Sequence, residues 1–226
     1  MTSTALLVHG AFADSGSWAD TIRAAPGLGL IAVPDPLRGL AGDAASVAAS
    51  ATMIDGPVVL VGHGYAGAVI SVAAVAAGNV VGLVYIAAFV PDETQSCVDI
   101  LLAGGSESFL AALRPYPVIG GTELYLDRTA YPAVFAADLD PEVAAVAAAT
   151  QRPVLAGAFE ERPAAVAWRD LPCWYLVATA DRVLDPGTQR AMAARAGATT
   201  AGVHASHAVT LSHPEAVAEL IGSALL

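Results

Sequence analysis

Residues 57–67, Pro57-Val58-Val59-Leu60-Val61-Gly62-His63-Gly64-Tyr65-Ala66-Gly67, constrain this chain more than any other stretch. A short β-branched and aliphatic run stops at a glycine, two more glycines follow by position 67, and small apolar residues then continue to Ala77. A continuous apolar run of strand length reads as a strand buried on both faces, the usual condition in parallel sheets. The glycines permit a tight bend, and the sequence predicts a helix from about Tyr65. The same rhythm recurs along the chain. Thr4–Val8, Leu28–Val33, Val81–Ala88, Trp174–Thr179 and Thr199–His204 read as further strands. Helices are expected over Ala44–Met53 capped by Asp43, over Pro186–Ala196, and from a Ser212 cap to Leu225. Strand–helix alternation of this kind predicts an α/β fold, a mostly parallel doubly wound sheet with helices on both faces.

The 226 residues suffice for one domain, 1–226, and no repeat or low-complexity linker divides it. Asp92 to about Arg169 shows no clear strand but holds much of the aromatic content, with breaks at Pro115, Pro117, Pro153 and Pro163. An insertion that long is not bare loop, so a small helical cap over the sheet's C-terminal edge is expected at 92–169. The ten basic residues are all arginine and are scattered, and the net charge is −11. Phosphate-backbone binding needs clustered positive charge, which excludes nucleic acid as the expected partner. Lysine-free, Ala- and Val-rich composition suggests a GC-rich bacterial source. Cys97 and Cys173 match no zinc or redox spacing and read as reduced thiols of a cytoplasmic protein. Residues 1–8 lack the features of a signal peptide. Ala66–Val90 is long and apolar enough to suggest a membrane span, but Gly78-Asn79 breaks it into a helix and a strand. No membrane partner and no cofactor are expected. The expected partner is a small-molecule substrate, with a homodimer left open.

Four segments carry chemistry. The first is Leu7-Val8-His9-Gly10-Ala11-Phe12, a strand ending in a turn that leaves backbone amides accessible. By itself it is an ordinary strand–helix turn. The second is the bend 62–67, which has two readings. As Gly-x-Gly-x-x-Gly it matches the dinucleotide fingerprint. That motif should open the first βαβ unit, yet two strands precede it here. The strand that follows should end in an acid but ends in Ala87-Ala88-Phe89. The favoured reading is therefore a Gly-x-Ser-x-Gly nucleophile elbow with Gly64 at the serine position and Ala66 at the last glycine. The third segment sets Asp181 just past the apolar strand Trp174–Thr179, where a lone Asp is ordinarily a cap or turn residue. The fourth, Val203-His204-Ala205-Ser206-His207, continues to His213. Its three histidines offer no convincing zinc spacing, so no metal is expected. His204 is assigned to the strand, His213 to the final helix's first turn, and His207 to the loop between. The chain order is His-Gly turn, elbow, Asp loop and His loop, which is the order of nucleophile, acid and base in α/β-hydrolases.

The chain resembles the small α/β-hydrolases related to plant hydroxynitrile lyases and methyl-ester esterases, especially bacterial ones. The matching residues are His9-Gly10-Ala11-Phe12 with Trp18, Gly62-His63-x-Tyr65, Ala87-Ala88-Phe89-Val90-Pro91-Asp92, Gln151-Arg152-Pro153, Trp174–Val177, Asp181-Arg182 and Ser206-His207. The resemblance spans essentially the whole chain. It implies the α/β-hydrolase fold, Asp181 as catalytic acid and His207 as base. It implies oxyanion-hole amides at Ala11 and Tyr65, with Phe12 as a substitute. His9, Gly10, Phe12 and Trp168 are expected at the substrate. The family serine falls on Gly64. Three functions are compatible with that. One is general acid/base chemistry without a serine (lyase, dehydratase, cyclase or direct water attack) on a small apolar carbonyl or ester compound. The second is an esterase or lactonase with an engineered glycine, and the third is a non-catalytic small-molecule binder.

Overall fold

A computed structural model describes residues 3–104 and 106–225. The strands in chain order are β1 (Thr4–Val8), β2 (Leu30–Val33), β3 (Val58–His63), β4 (Val80–Ile86), β5 (Leu113–Val118), β6 (Gly121–Leu126), β7 (Val154–Leu155), β8 (Cys173–Ala178) and β9 (Thr199–Val203). Six of them form one sheet in the order β2-β1-β3-β4-β8-β9, and every pairing in it is parallel. Side chains alternate across a strand, and that alternation divides the core into two faces. Leu6, Val8, Val58, Leu60, Leu83, Tyr85, Tyr175 and Val177 belong to one apolar cluster. Leu7, Val59, Val61, Val84, Ile86 and Leu176 belong to the other.

The helices are α1 (Ala19–Ala24), α2 (Leu40–Thr52), α3 (Ala66–Ala76), α4 (Cys97–Gly104), α5 (Glu107–Ala112), α6 (Tyr131–Val134), α7 (Pro141–Thr150), α8 (Ala156–Glu160), α9 (Pro186–Arg195), α10 (Val209–Ser212) and α11 (Pro214–Ala224). Residues of α2, α3 and α9 complete the first face, and those of α1 and α11 complete the second. The apolar stretch 66–90 resolves into α3, a Gly78-Asn79 turn and β4. No helix among the described residues is long and apolar enough to cross a membrane.

Four sequence expectations need correction. Elements α4–α8 and β5–β7 lie between β4 and β8, so the insertion is helical only in part. It also carries an antiparallel sheet in the order β5-β6-β7. Asp43 is not the N-cap of α2, which starts three residues earlier behind Gly39. The Asp43 carboxylate instead reaches back to accept from the amides of Arg38 (3.0 Å) and Gly39 (3.3 Å). Ser212 ends α10, and His213 flanks the start of α11 with no side-chain cap. His204 lies just past β9.

Candidate active site

All four motif segments emerge at the C-terminal edge of the sheet, where parallel α/β sheets place their sites. The order reverses at β1, so the turns after β1 and β3 are neighbours. They touch closely, because a Cβ on Gly10 would stand 2.5 Å from the His63 carbonyl oxygen and 3.2 Å from the Tyr65 amide nitrogen. The bend at Gly64 is fixed to the end of β4 on both sides. Its N–H donates to the Ile86 carbonyl (3.2 Å), and its own carbonyl accepts from Phe89 N–H (3.0 Å). Gly64 has φ +55°, and the neighbouring turns hold Phe12 at +62° and Ala87 at +44°. Left-handed backbone at a non-glycine residue costs about 1–3 kcal/mol and is characteristic of functional sites.

The loops after β8 and β9 bring Asp181 to His207. Asp181 Oδ2 lies 2.7 Å from His207 Nδ1. The same carboxylate accepts from the Val183 amide (2.7 Å), the Leu184 amide (3.1 Å) and Gln189 Nε2 (2.8 Å). With three other donors fixing this carboxylate, Nδ1 is the ring nitrogen turned to it and Nε2 is the one turned away. That nitrogen faces position 64, where a Cβ would lie 3.0 Å from it.

His207, Ala11, Phe12 and Tyr65 line one small cavity, closed by Phe89, Phe109, Phe135, Phe159 and Val183. The amides of Ala11 and Tyr65 have no hydrogen-bond partner among the described residues. The Tyr65 side chain anchors its backbone by donating to Asp43 Oδ2 at 3.0 Å. Phe12 contributes its ring, but its N–H is taken by the Arg152 carbonyl at 3.1 Å, so it is no substitute donor. His9 and Trp168 are not brought to this cavity. His9 is buried, with Nδ1 2.9 Å from the Gly10 carbonyl and Nε2 accepting from Asp35 N–H at 3.0 Å. Burial lowers its pKa. Trp168 donates from Nε1 to the Pro91 carbonyl (3.0 Å), and Arg169 lies over its ring. Gly10 stands behind the site and lets the two turns meet. The remaining histidines diverge. His204 approaches Thr179, and His213 approaches Ser212. No group of three metal-ligating side chains converges among the described residues.

The sequence profile of the alpha/beta hydrolase family matches residues 5–220. The chain belongs to that family. No curated protein matches the sequence. Solved structures share the fold over nearly the whole chain at low identity. A pyrethroid hydrolase from Sphingobium faniae JZ-2 superposes with TM-score 0.82 at 23% identity, covering 98% of this chain and 97% of its own. Polyneuridine aldehyde esterase gives 0.84 at 17%, with 99% and 100% covered. Tomato methylketone synthase I, complexed with 2-tridecanone, gives 0.81 at 16%, with 99% and 98% covered.

Two side chains of this alpha/beta hydrolase escape sequence reading. Gln189 is fully buried on α9 and holds Asp181, but nothing local marks it among the polar residues of that helix. Asp138 accepts from Ser206 N–H at 3.0 Å, across 68 residues of sequence, beside His207. His63 sits with its ring centroid 4.8 Å from that of His207. Its Nε2–H donates to the His207 carbonyl at 2.8 Å. Burial and the neighbouring His207 hold His63 down to about 3, so it is neutral.

Proposed function

We propose that this alpha/beta hydrolase-fold protein is an enzyme that works without a serine nucleophile. His207, oriented by Asp181, acts as general base and acid, and the Ala11 and Tyr65 amides hold a developing oxyanion or enolate. The observation that carries this reading is the pairing of a fully equipped imidazole with Gly64, the position its Nε2 faces. In a serine-protease triad, loss of the serine costs about 10⁶-fold in kcat, and oxyanion hole and binding alone leave about 10³–10⁴ over water. A reaction that needs only a proton shuttle and oxyanion donors loses nothing at Gly64. Proton abstraction beside a carbonyl, elimination, cyclisation, retro-aldol cleavage and water attack all use that equipment.

The substrate is a small, neutral, largely apolar carbonyl or ester compound. The aromatic walls support this, as does the likeness to an esterase and to a methylketone synthase that binds 2-tridecanone. The Nε2 nitrogen lies nearer position 64 than most side chains tolerate, which favours a site organised around glycine.

Two variants test the assignment. Gly64→Ser, with His207 yielding by a few tenths of an ångström, should gain labelling at position 64 by a fluorophosphonate probe and activity on activated esters. A folded Gly64→Ser protein that resists the probe refutes the elbow assignment. His207→Ala should abolish the native turnover and leave ligand affinity largely intact. Unchanged turnover would remove His207 from the mechanism.

A further inference from the structure

The cavity at His207 is almost filled by its own walls. Its free volume is only about 10 Å³, room for a single water at most. A substrate reaches Nε2 only if one of the aromatic walls moves. A separate cleft of about 290 Å³ opens between the turn 13–17, α7 and α10. Phe135 is the one residue that lines both spaces.

Helix α7 shows why this cleft matters. Ala144 and Ala148 form its buried stripe. Val143 and Val146, 46% and 63% exposed, turn toward the cleft, and Ala147 lines it from between them and the core. An apolar helix face turned to an open cleft is a recognition surface. Asp14 is the only charged group on its walls, and His63 on its floor is neutral. That lining suits an uncharged apolar molecule and disfavours an anion.

Phe135 is built to move at its ring only. Its N–H donates to the Tyr131 carbonyl (2.8 Å), and its carbonyl accepts from Ala208 N–H (2.9 Å). The ring stands edge-on to His207 and stacks on Tyr131, with centroids 4.8 Å away in each case, so its movement breaks two ring contacts. A change of side-chain rotamer displaces it into the cleft without disturbing the backbone. The rival route passes under α4 and α5 through a hollow of about 110 Å³ bordered by Phe109 and Phe159. Two rings border both spaces there. Phe159 is wedged between Tyr65 and Phe89, and Phe109 lies against Phe12.

We propose that the cleft beside α7 is the outer binding site and entry port for a neutral apolar carbonyl compound, with the Phe135 ring as its gate. This rests on the reading of His207 and position 64 given above. The test uses Gly64→Cys and two reagents, iodoacetamide and the bulkier N-benzyl-iodoacetamide. The thiol gives its proton to His207 Nε2, sulfur displaces iodide, and mass spectrometry follows the thioether. Cys97 and Cys173 are buried, with burial raising both and pushing Cys173 up to about 12, so the parent protein is a quiet blank. Ala147→Trp, which fills the cleft, should slow labelling by both reagents about tenfold, equivalent to ~1.4 kcal/mol of barrier. Phe135→Ala should speed the bulkier reagent by at least that factor, and Leu102→Trp at the rival hollow should leave both rates unchanged. Slowing by Leu102→Trp but not by Ala147→Trp overturns the port. A thiol at position 64 that stays unlabelled even with Phe135→Ala overturns the reading beneath it. If Gly64→Cys does not fold, Gly64→Ser with the fluorophosphonate probe decides the same comparison.

Discussion

Gly64 and Gly67 sit three residues apart on one bend but meet different constraints. At Gly64 the obstacle is conformational, because the backbone is left-handed and only the His207 ring stands near a Cβ. At Gly67 a Cβ would run into the Phe89 carbonyl oxygen and come within 2.7 Å of the Ala88 Cβ. Backbone cannot give way as a side chain can. Gly67→Ala should therefore cost on the order of 3 kcal/mol, the upper end for overpacking. Gly64→Ala should cost about 1–2 kcal/mol, the left-handed penalty of an L-residue. Urea unfolding of both variants checks the contrast, and equal losses would contradict it. The close approach at Gly67 also explains why the dinucleotide fingerprint is matched in letters. Its last glycine here serves contact between α3 and the end of β4.

Between elements, the cap grips the loops that bear Asp181 and His207. Ser206 N–H and Oγ–H both donate to Asp138. Ala208 N–H donates to the Phe135 carbonyl, and Arg182 donates to the Ala133 carbonyl at 3.1 Å. Residues on both sides of His207 are thus held by one cap segment. Asp138→Ala leaves two Ser206 donors without their acceptor and should cost about 1–3 kcal/mol. It should also broaden the low-field proton resonance of the His207–Asp181 pair, which a purely peripheral loss of stability would leave sharp. These contacts are invisible in the sequence because they join segments far apart in the chain. The six-strand core is legible for the opposite reason. Strands buried on both faces are written as unbroken apolar runs, and Pro57–Gly67 alone predicts a strand, a bend and a helix. The small cap sheet is not legible. Pro115 and Pro117 argue against a strand, yet β5 is an edge strand pairing only with β6, where missing amide donors are tolerated. Asp181 and His207 stand out through chain order. His9 and Trp168 stand out equally, but only tertiary packing reveals that they serve the scaffold.

For the whole molecule, two kinds of buried titratable group pull stability in opposite directions with pH. His63 is held at about 3 and His9 is also lowered, both chiefly by burial. Over the interval below the ordinary histidine value of 6.5, the unfolded chain binds more protons than the folded one, so stability falls as pH falls. Asp35 behaves in the reverse sense. Its carboxyl is fully buried, Oδ2 has no partner, and Oδ1 accepts only from the Leu37 amide at 3.3 Å. Burial, then the neighbouring Asp43, raises it to about 8, so the folded protein keeps a proton that the unfolded chain has released above 3.8. Its contribution is complete below 3.8 and is lost as pH rises through 8. Asp43 is raised as well, chiefly by burial, and acts in the same sense as Asp35. Above 6.5 the histidine contributions fade and the Asp35 slope prevails. Stability should therefore decline from about pH 6.5 to pH 8 by on the order of 1 kcal/mol, at ~1.4 kcal/mol per proton per pH unit. Asp35→Asn keeps the shape and removes the titration. Its urea midpoint should not fall from pH 6.5 to 8 while that of the unaltered protein declines, and parallel declines in both would remove Asp35 as the cause.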